Sequence, residues 1–203
     1  MSAPIVEPVR LGKSVEIDFV ALLVFWIKKR EWKNKALIEA LKIPGRHGVP
    51  FSVNNITGFP RETRELAMDT IELNRFIDAH NHNLYAFVPF HGLPLRKTCE
   101  DLKLVTPDTI TRACTDRPML DQKKYPASQV EGLQKCFVFY VKMPKRRWKD
   151  IERAEANTSE GNQIFDELKQ EYLEKYVTAF GNAKDEKLNH SADLEYGMEM
   201  PAS

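Results

Sequence analysis

The sequence predicts a helix-rich α+β protein. Three observations support this class: strongly apolar or amphipathic segments at helical spacing occur in both halves of the chain, residues 76–88 have the pattern of a short β-hairpin, and residues 136–143 are apolar on both faces, as in a covered strand. With 42% hydrophobic and 29% charged residues among 203, the composition is that of an ordinary globular protein. We therefore expect a sizeable core built mainly from helices.

The N-terminal segments predict an arm followed by two helices. Residues 1–13 contain two prolines and little periodicity, which predicts a flexible arm. From Ser14 onward a dense apolar run predicts a buried helix that ends at Lys28, Lys29 and Arg30. These three cations either complement the negative end of the helix dipole or contact phosphates. Residues 32–41 predict a second helix, which we expect to stop at Pro44.

Residues 50–89 have the spacing of a helix-turn-helix followed by a wing. Residues 51–57 are of suitable length for the first helix, and Gly58 suits a tight turn because it tolerates positive φ. Pro60 suits the first position of a second helix over residues 60–75. Residues 76–88 then predict the hairpin, with a polar tip at 79–83.

The run Gly-Phe-Pro-Arg-Glu-Thr at 58–63, followed by apolar Met68 and Ile71 and the Phe76-Ile77 pair, resembles the winged helix-turn-helix domain of bacterial transcription regulators. The resemblance implies that a recognition helix near 60–75 enters the major groove and that the wing touches the adjacent backbone. The chain departs from the family at Arg64, where an aliphatic core residue is usual. A turned-in Arg64 would need a carboxylate partner, such as Glu65 or Asp69.

The predicted DNA contacts lie in four segments. They are Arg61, Glu62, Thr63 and Arg64 on the recognition helix, His80, Asn81 and His82 in the wing, Lys28, Lys29 and Arg30 at the end of the first helix, and Arg146 and Arg147 in the basic run 145–149. In that run, Trp148 is expected either to stack on a base or to dock onto the core. The hypothesis is therefore a regulator that reads duplex DNA.

Charge is distributed unevenly along the chain. Residues 150–203 carry 13 acidic and 5 basic side chains, net −8, whereas residues 1–149 carry 25 basic and 16 acidic, net +9. A basic body with an acidic end suits nucleic-acid binding combined with a separate partner or self-association segment. A protein that coats nucleic acid without sequence preference is the alternative hypothesis.

The C-terminal half predicts further helices and one strand. Residues 106–115 predict a short helix, residues 128–131 have the capping-box spacing of another, and residues 136–143 predict a strand. Residues 159–181 predict a long helix with an aromatic stripe, which suits either a homodimer interface or intramolecular packing. The expected organisation is an arm (1–13), a winged-helix-like domain (14–90), an α+β region (91–181) and a disordered acidic tail (182–203).

One pattern points to metal chemistry instead. Asp78, His80 and His82 form the D-x-H-x-H arrangement of metal-dependent hydrolases, in which two imidazoles at i and i+2 on a strand reach one metal ion. Such sites lie early in barrels of about 250 residues, and too little chain follows His82 for that architecture. We therefore expect a protein without catalytic activity, metal or cofactor.

Cysteine usage and hydropathy predict a soluble, cytoplasmic protein. Cys99, Cys114 and Cys136 are odd in number and widely spaced, which favours buried thiols over a disulfide framework or a zinc module. The apolar run 19–27 is far shorter than a membrane span and lacks the pattern of a signal peptide. No membrane partner is therefore expected.

Overall fold

The computed structural model describes residues 15–18 and 34–177. Three strands, β1 (Val15–Asp18), β2 (Phe51–Thr57) and β3 (Asn81–Ala86), form one parallel sheet in the order β1-β2-β3. The helices of the described ranges are α1 (Asn34–Arg46), α2 (Arg64–Arg75), α3 (Pro94–Asp101), α4 (Ala127–Lys142), α5 (Trp148–Ala154) and α6 (Ser159–Tyr172). A 3-10 turn, Lys145–Arg147, precedes α5, and a π-helical turn, Leu173–Val177, follows α6. The helix-rich α+β class is confirmed at this level.

The central unit is β2-α2-β3. Parallel neighbours cannot be joined by a tight turn, so the chain must cross over one face of the sheet, and α2 lies in that crossover. Ser52 lies opposite Asn81, and Thr57 lies opposite Ala86. The Phe87 N–H donates to the Thr57 carbonyl at 2.7 Å and extends the pairing by one residue. Both strands therefore end side by side.

Helices α1, α2 and α4 cover one face of this sheet. On that face Asn55 and Asn74 exchange two amide hydrogen bonds of 3.1 and 2.8 Å, and His82 contacts the Asn74 oxygen at 2.9 Å. Val53 joins a small apolar cluster with Leu41 of α1. Because side chains alternate along a strand, the intervening residues face the other side. They are Ser52, Asn54, Ile56, Asn81, Asn83 and Tyr85.

The main core is centred on α4. Nine of its sixteen residues are buried, because the sheet with α2 lies on one side of α4, and α5 and α6 lie on the other. Its buried partners are Ala67, Ile71, Leu84, Ala86, Ile151, Ala154 and Leu168. This core joins residues that precede residue 90 with residues that follow it.

Arg75 connects the end of α2 to the end of α4. Its Nη1 donates to the carbonyls of Tyr140 at 2.8 Å, Val141 at 3.1 Å and Met143 at 2.7 Å. Carbonyls in the last turn of a helix have no partner within the helix, so this guanidinium satisfies groups that would otherwise remain buried and unpaired. The Arg75 guanidinium also lies 5.8 Å from the centre of the Trp148 ring.

Two elements predicted for residues 50–89 are wrong. Residues 51–57 form a strand rather than a short helix, because alternating Phe51 and Val53 are buried against the helices in extended conformation. The predicted hairpin at 76–88 is a loop and a single strand, β3, which pairs in parallel with β2. Phe76 caps the end of α2 and Ile77 donates to the Asn74 carbonyl, so neither residue starts an antiparallel strand.

The strand predicted at 136–143 is also wrong, because these residues are the second half of α4. A helix enclosed on most of its circumference is apolar on every side, and periodicity cannot then distinguish it from a buried strand. The capping-box residues 128–131 do lie in the first turns of a helix, but that helix is sixteen residues long.

Three further boundaries differ from the predictions. Residues 106–115 contain turns but no helix, whereas α3 forms at Pro94–Asp101, where no helix was predicted, with Pro94 in its first turn. α1 continues through Pro44 to Arg46, and the left-handed φ of Gly48, 63°, follows its end. The first predicted helix, from Ser14 to Arg30, is wrong at Val15–Asp18, which form β1, and its residues from 19 onward lie outside the described residues, as do the arm and the tail.

The C-terminal helix begins at Ser159, as predicted, with the Thr158 hydroxyl accepting from the Gly161 N–H. Its aromatic stripe packs within the chain: the Phe165 and Tyr172 rings lie 5.3 and 5.8 Å from the Phe139 ring of α4. Residues 178–181 lie outside the described ranges. Cys99 and Cys136 are buried thiols, as expected, but Cys114 is exposed.

We expect Gly132→Ala to destabilise the protein, because a Cβ at this position of α4 would lie 2.7 Å from Glu155 Cβ and 3.1 Å from its carbonyl oxygen. The overlap should lower the free energy of unfolding by ~1–3 kcal/mol despite the better helix propensity of alanine. Urea denaturation measures this change. The matched control is Gly45→Ala in α1, where no atom lies within 4 Å of the new Cβ and stability should not fall. Equal effects of the two substitutions would contradict the packing argument.

Candidate functional site

The loops that follow β2 and β3 form the candidate site. The first begins with Gly58, at φ 83°, and continues into a β-turn closed by the Glu62 N–H, which donates to the Phe59 carbonyl at 3.0 Å. Pro60 occupies the second position of this turn, and Arg61 occupies the third with φ 70°. Proline followed by positive φ is the pattern of a type II turn, in which the third residue is normally glycine.

The side chain of Glu62 lies inside this turn. Its Oε2 accepts hydrogen bonds from the N–H groups of Gly58 and Phe59, the latter at 3.0 Å, and from the Thr57 hydroxyl at 3.3 Å. Glu62 is 2% exposed, and burial raises its pKa to about 7. The backbone amides of this strand-to-helix turn are thus occupied by the chain's own carboxyl group, whereas in a phosphate-binding loop they would face a ligand.

Gln122 holds the same turn from the opposite side. Its Nε2 donates to the Phe59 carbonyl at 2.7 Å, and its Oε1 accepts from the Arg61 N–H at 2.6 Å. The Tyr125 hydroxyl lies 3.2 Å from the Thr57 hydroxyl, at the base of the turn. The conformation of Arg61 is therefore fixed by buried contacts on both sides.

Arg96, which is 3% exposed, organises the loop after β3. Its Nη1 donates to the Pro89 carbonyl at 3.0 Å, and its Nε donates to Glu100 at 2.7 Å. Its Nη2 lies within 2.7–3.1 Å of three carbonyl oxygens, those of Thr106, Pro107 and Thr109. One guanidinium thus fixes residue 89 against the segment 106–109.

The two loops touch each other at the carboxyl end of the sheet. The Phe59 and Phe87 rings have centroids 4.8 Å apart, and both belong to a small apolar cluster that also contains Cys99, Val105 and Leu120. Ile56 packs on this cluster from the sheet face opposite α1, α2 and α4. The site therefore has an apolar base that holds both loops in place.

Polar side chains continue from this base along the same sheet face. Asn83 Nδ2 donates to Asn54 Oδ1 at 2.8 Å, and Asn81 Nδ2 lies 3.4 Å from the Ser52 hydroxyl. Tyr85 follows Asn83 on this face and is half-buried. Apart from Ile56, no residue of this face belongs to a hydrophobic cluster of the described residues. The arrangement offers amide and hydroxyl groups beside the two loops.

The residues predicted to contact DNA from the second helix differ in their exposure to solvent. Arg61 is exposed and Glu62 is buried, whereas Thr63 is the N-cap of α2, with its hydroxyl accepting from the Leu66 N–H at 3.5 Å. Arg64 turns inward, but its carboxylate partner is neither Glu65 nor Asp69. Two hydrogen bonds of 3.0 and 2.7 Å join its guanidinium to Glu155 of α5.

The residues predicted for the wing also differ in their exposure to solvent. His80 and Asn81 are exposed, whereas His82 is 5% exposed, and burial followed by the charge of Lys142 lowers its pKa to about 3. His82 therefore lies in the interior rather than at a hairpin tip. Within residues 15–18 and 34–177, no three histidine, cysteine, aspartate or glutamate side chains gather closely enough to hold a metal ion.

The remaining predicted contacts lie near α5 or outside the described ranges. Arg146 is exposed, but Arg147 forms ion pairs with Asp150 at 2.5 Å and with Glu171 at 3.0 Å. Trp148 docks onto the core, with its ring 5.5 Å from that of Tyr140 in edge-on contact. Lys28, Lys29 and Arg30 lie outside the described residues.

Comparison with known proteins gives no match, either to a family model or to a curated sequence. In the described ranges we find no helix whose length and apolar content would let it span a bilayer. Sequence reasoning missed three organising residues, Arg96, Gln122 and Tyr125. Arg96 carried a detectable signal, because it stands in a short segment rich in proline and glycine, where loop carbonyls need donors.

Stability should depend on pH through Glu62. The folded chain retains a proton on this carboxyl up to about pH 7, whereas an unfolded chain releases it near 4.5, so the contribution of Glu62 to the free energy of unfolding should fall as pH rises between these values. Buried His82 contributes in the opposite direction below about pH 6.5, because burial lowers its pKa to about 3 in the folded chain. The expected loss from Glu62 is on the order of 3 kcal/mol. Urea denaturation at a series of pH values measures it.

Glu62→Gln should remove this contribution, so its stability should rise relative to that of wild type as pH increases from about 4.5 to 7, whereas Glu152→Gln, at an exposed position of α5, should follow the wild-type profile. A stability difference between wild type and Glu62→Gln that stays constant from pH 5 to pH 8 would show that Glu62 does not titrate in this window.

Arg96→Ala should destabilise the loops of the site. It leaves the carbonyls of Pro89 and of the segment 106–109 without their donor, together with an unpaired Glu100, at a cost of ~3–5 kcal/mol. Hydrogen exchange should accelerate first at residues 87–93 and 104–110. Lys97→Ala, which removes an exposed pair with Asp101, is the control and should leave the stability nearly unchanged. Uniform acceleration over the whole chain would argue against a local role for Arg96.

Proposed function

We propose that this chain binds a small-molecule ligand at the carboxyl ends of β2 and β3. One observation carries the proposal: two adjacent parallel strands, joined by a crossover helix, end in loops that are in contact through Phe59 and Phe87. In open parallel sheets, ligands bind in the crevice beyond the carboxyl ends of the strands, because loops from neighbouring strands meet there.

The construction of the loops supports this proposal. Both are fixed by buried polar side chains, Glu62 and Gln122 in the first and Arg96 in the second, rather than by apolar packing alone. Binding groups that are held by a rigid scaffold lose little entropy when a ligand arrives.

The sheet face next to the loops indicates a polar ligand. Parallel sheets are usually covered on both faces by apolar contacts. Here one face carries Asn54, Asn83 and Tyr85, whose amide and hydroxyl groups suit hydrogen bonding to a ligand. Polar groups of this kind orient a ligand, while the apolar base at Ile56 contributes contact area.

Duplex DNA remains a second proposed partner, favoured by the net charge of +9 on residues 1–149. Of the arginines predicted to contact DNA, Arg61 and Arg146 are exposed, whereas Arg64 and Arg147 are engaged in ion pairs. Under this proposal the exposed cations contact phosphates, as in a regulator or a coating protein. A homodimer through α6 also stays a prediction, with Leu173 and Val177 exposed just beyond that helix.

Chemical-shift mapping on the isotope-labelled chain tests the two proposals together. The probes are adenosine monophosphate, glucose, glutamate, benzoate, a random-sequence duplex and its single strand. A small-molecule site predicts that at least one of the first four shifts amides of residues 57–62 and 87–93. Tyr85→Phe should weaken that binding, and Tyr176→Phe on the π-helical turn should not.

Small molecules that shift only amides remote from these loops, or none at all, would overturn the small-molecule proposal. Salt-sensitive shifts around Arg61 and Arg146 that appear with the duplex alone would favour the regulator. Equal shifts with duplex and single strand would favour the coating protein.

A further inference from the structure

The backbone of Arg61 is unusual for its residue type. Two described non-glycine residues have positive φ, Arg61 at 70° and Lys103 at 58°. Lys103 lies just past the end of α3, where a left-handed residue commonly ends a helix. Arg61 instead occupies the third position of the Phe59–Glu62 turn, where glycine would avoid the steric cost.

This conformation is imposed by the surroundings. Gln122 binds the Phe59 carbonyl and the Arg61 N–H, and Glu62 binds the preceding amides from beneath. A strained residue persists where neighbouring contacts over-determine it, and such residues concentrate at ligand sites. The turn thus projects the Arg61 side chain outward at the carboxyl end of β2.

The guanidinium of Arg61 differs from those of several other arginines in the described residues. Arg64, Arg75, Arg96 and Arg147 each bind a carboxylate or backbone carbonyls. Arg61 is exposed, and its guanidinium forms no hydrogen bond or ion pair with another described residue. The fold therefore retains a strained backbone at Arg61, although the Arg61 guanidinium forms no bond to the described residues that would stabilise the fold.

We infer that Arg61 binds the carboxylate of a small monoanionic ligand at this site, an inference that rests on the proposed function. A planar guanidinium matches a carboxylate through two parallel hydrogen bonds. A phosphate dianion fits less well, because the Gly58 and Phe59 amides are occupied by Glu62. Glu65 in the first turn of α2 adds a negative charge that opposes a dianion more than a monoanion.

The neighbouring loop adds an apolar component. Phe90 and Leu93, in the loop after β3, are 53% and 49% exposed. Exposed apolar side chains in the loop that contacts the Arg61 loop suit a carboxylate with an aromatic or aliphatic body. Benzoate is the simplest probe of this class, and inorganic phosphate is the matched dianion.

The test compares Arg61→Gly, Arg61→Gln and Lys103→Gly in the full chain. Each is titrated with benzoate and with inorganic phosphate at constant ionic strength, and amide shifts are followed. Wild type and Lys103→Gly should bind benzoate alike, with shifts at residues 57–62 and 87–93. Both Arg61 variants should bind it at least ~10-fold more weakly, the effect of losing a charge-assisted pair.

The melting temperature separates this role from a structural one. Glycine relieves positive φ, so Arg61→Gly and Lys103→Gly should melt no lower than wild type. A clear drop for Arg61→Gly would mean that the side chain supports the fold, and would overturn the inference. Arg61→Gln keeps a long polar side chain without the charge, and it therefore tests binding without the relief of backbone strain that glycine brings.

Two outcomes distinguish this inference from the proposed function. Benzoate binding at the two loops that is unchanged in both Arg61 variants would overturn the role of Arg61 and leave the small-molecule site standing. Tighter binding of phosphate than of benzoate would overturn the assignment of a carboxylate. Absence of shifts at both loops with either probe and with the wider set would remove the site and the inference together.

Discussion

The carboxyl group of Glu62 determines how the chain leaves β2, and much of the structure depends on that exit. By accepting hydrogen bonds from Gly58, Phe59 and Thr57 it closes a tight turn, and α2 starts directly after it. The crossover can then return the chain beside β2 in parallel. With that turn in place, the two loops of the candidate site meet, and Arg61 acquires its left-handed backbone.

A second set of buried polar contacts holds the helices together. Arg64 of α2 pairs with Glu155 of α5, and the Tyr140 hydroxyl of α4 donates to the same carboxylate at 2.7 Å. Gly132 allows the close approach, because it leaves room for Glu155 beside α4. Buried ionic groups of this kind contribute less to net stability than to geometry, since desolvation offsets their attraction. They fix how the helical layer lies on the sheet.

Local signals in the sequence were sufficient for some elements and insufficient for others. The helical spacing of aromatic residues after Ser159 predicted α6, and the density of apolar residues predicted a large helical core. The seven residues of β2 were not recognised as a strand, because two asparagines are atypical of a buried strand. The side-chain amide of Asn55 is satisfied by Asn74 and Asn83, which lie far along the chain. Pairing of parallel strands leaves no local turn signal.

The candidate site was predictable only in part, for the same reason. A turn was predicted at Gly58 and Arg61 was singled out as a DNA contact, but Pro60 and Arg61 were placed in a helix that in fact begins at Arg64. What fixes that turn is Gln122, about sixty positions later, and no spacing rule connects the two. Arg64 was expected to need a carboxylate, but its partner, Glu155, was beyond the reach of local reasoning. The resemblance to winged-helix regulators rested on local pattern, whereas this fold is determined by contacts between distant segments.

The three hydrogen bonds from Arg75 to the end of α4 have a consequence for chain entropy. They join residues separated by 65, 66 and 68 positions, so they close one long loop of the polypeptide. The entropic cost of closing a loop grows only with the logarithm of its length, and it is incurred once. The Arg64–Glu155 pair spans 91 positions and encloses the loop that Arg75 closes, so most of its own span is already closed. Each long-range contact in this region thus makes the next one less costly.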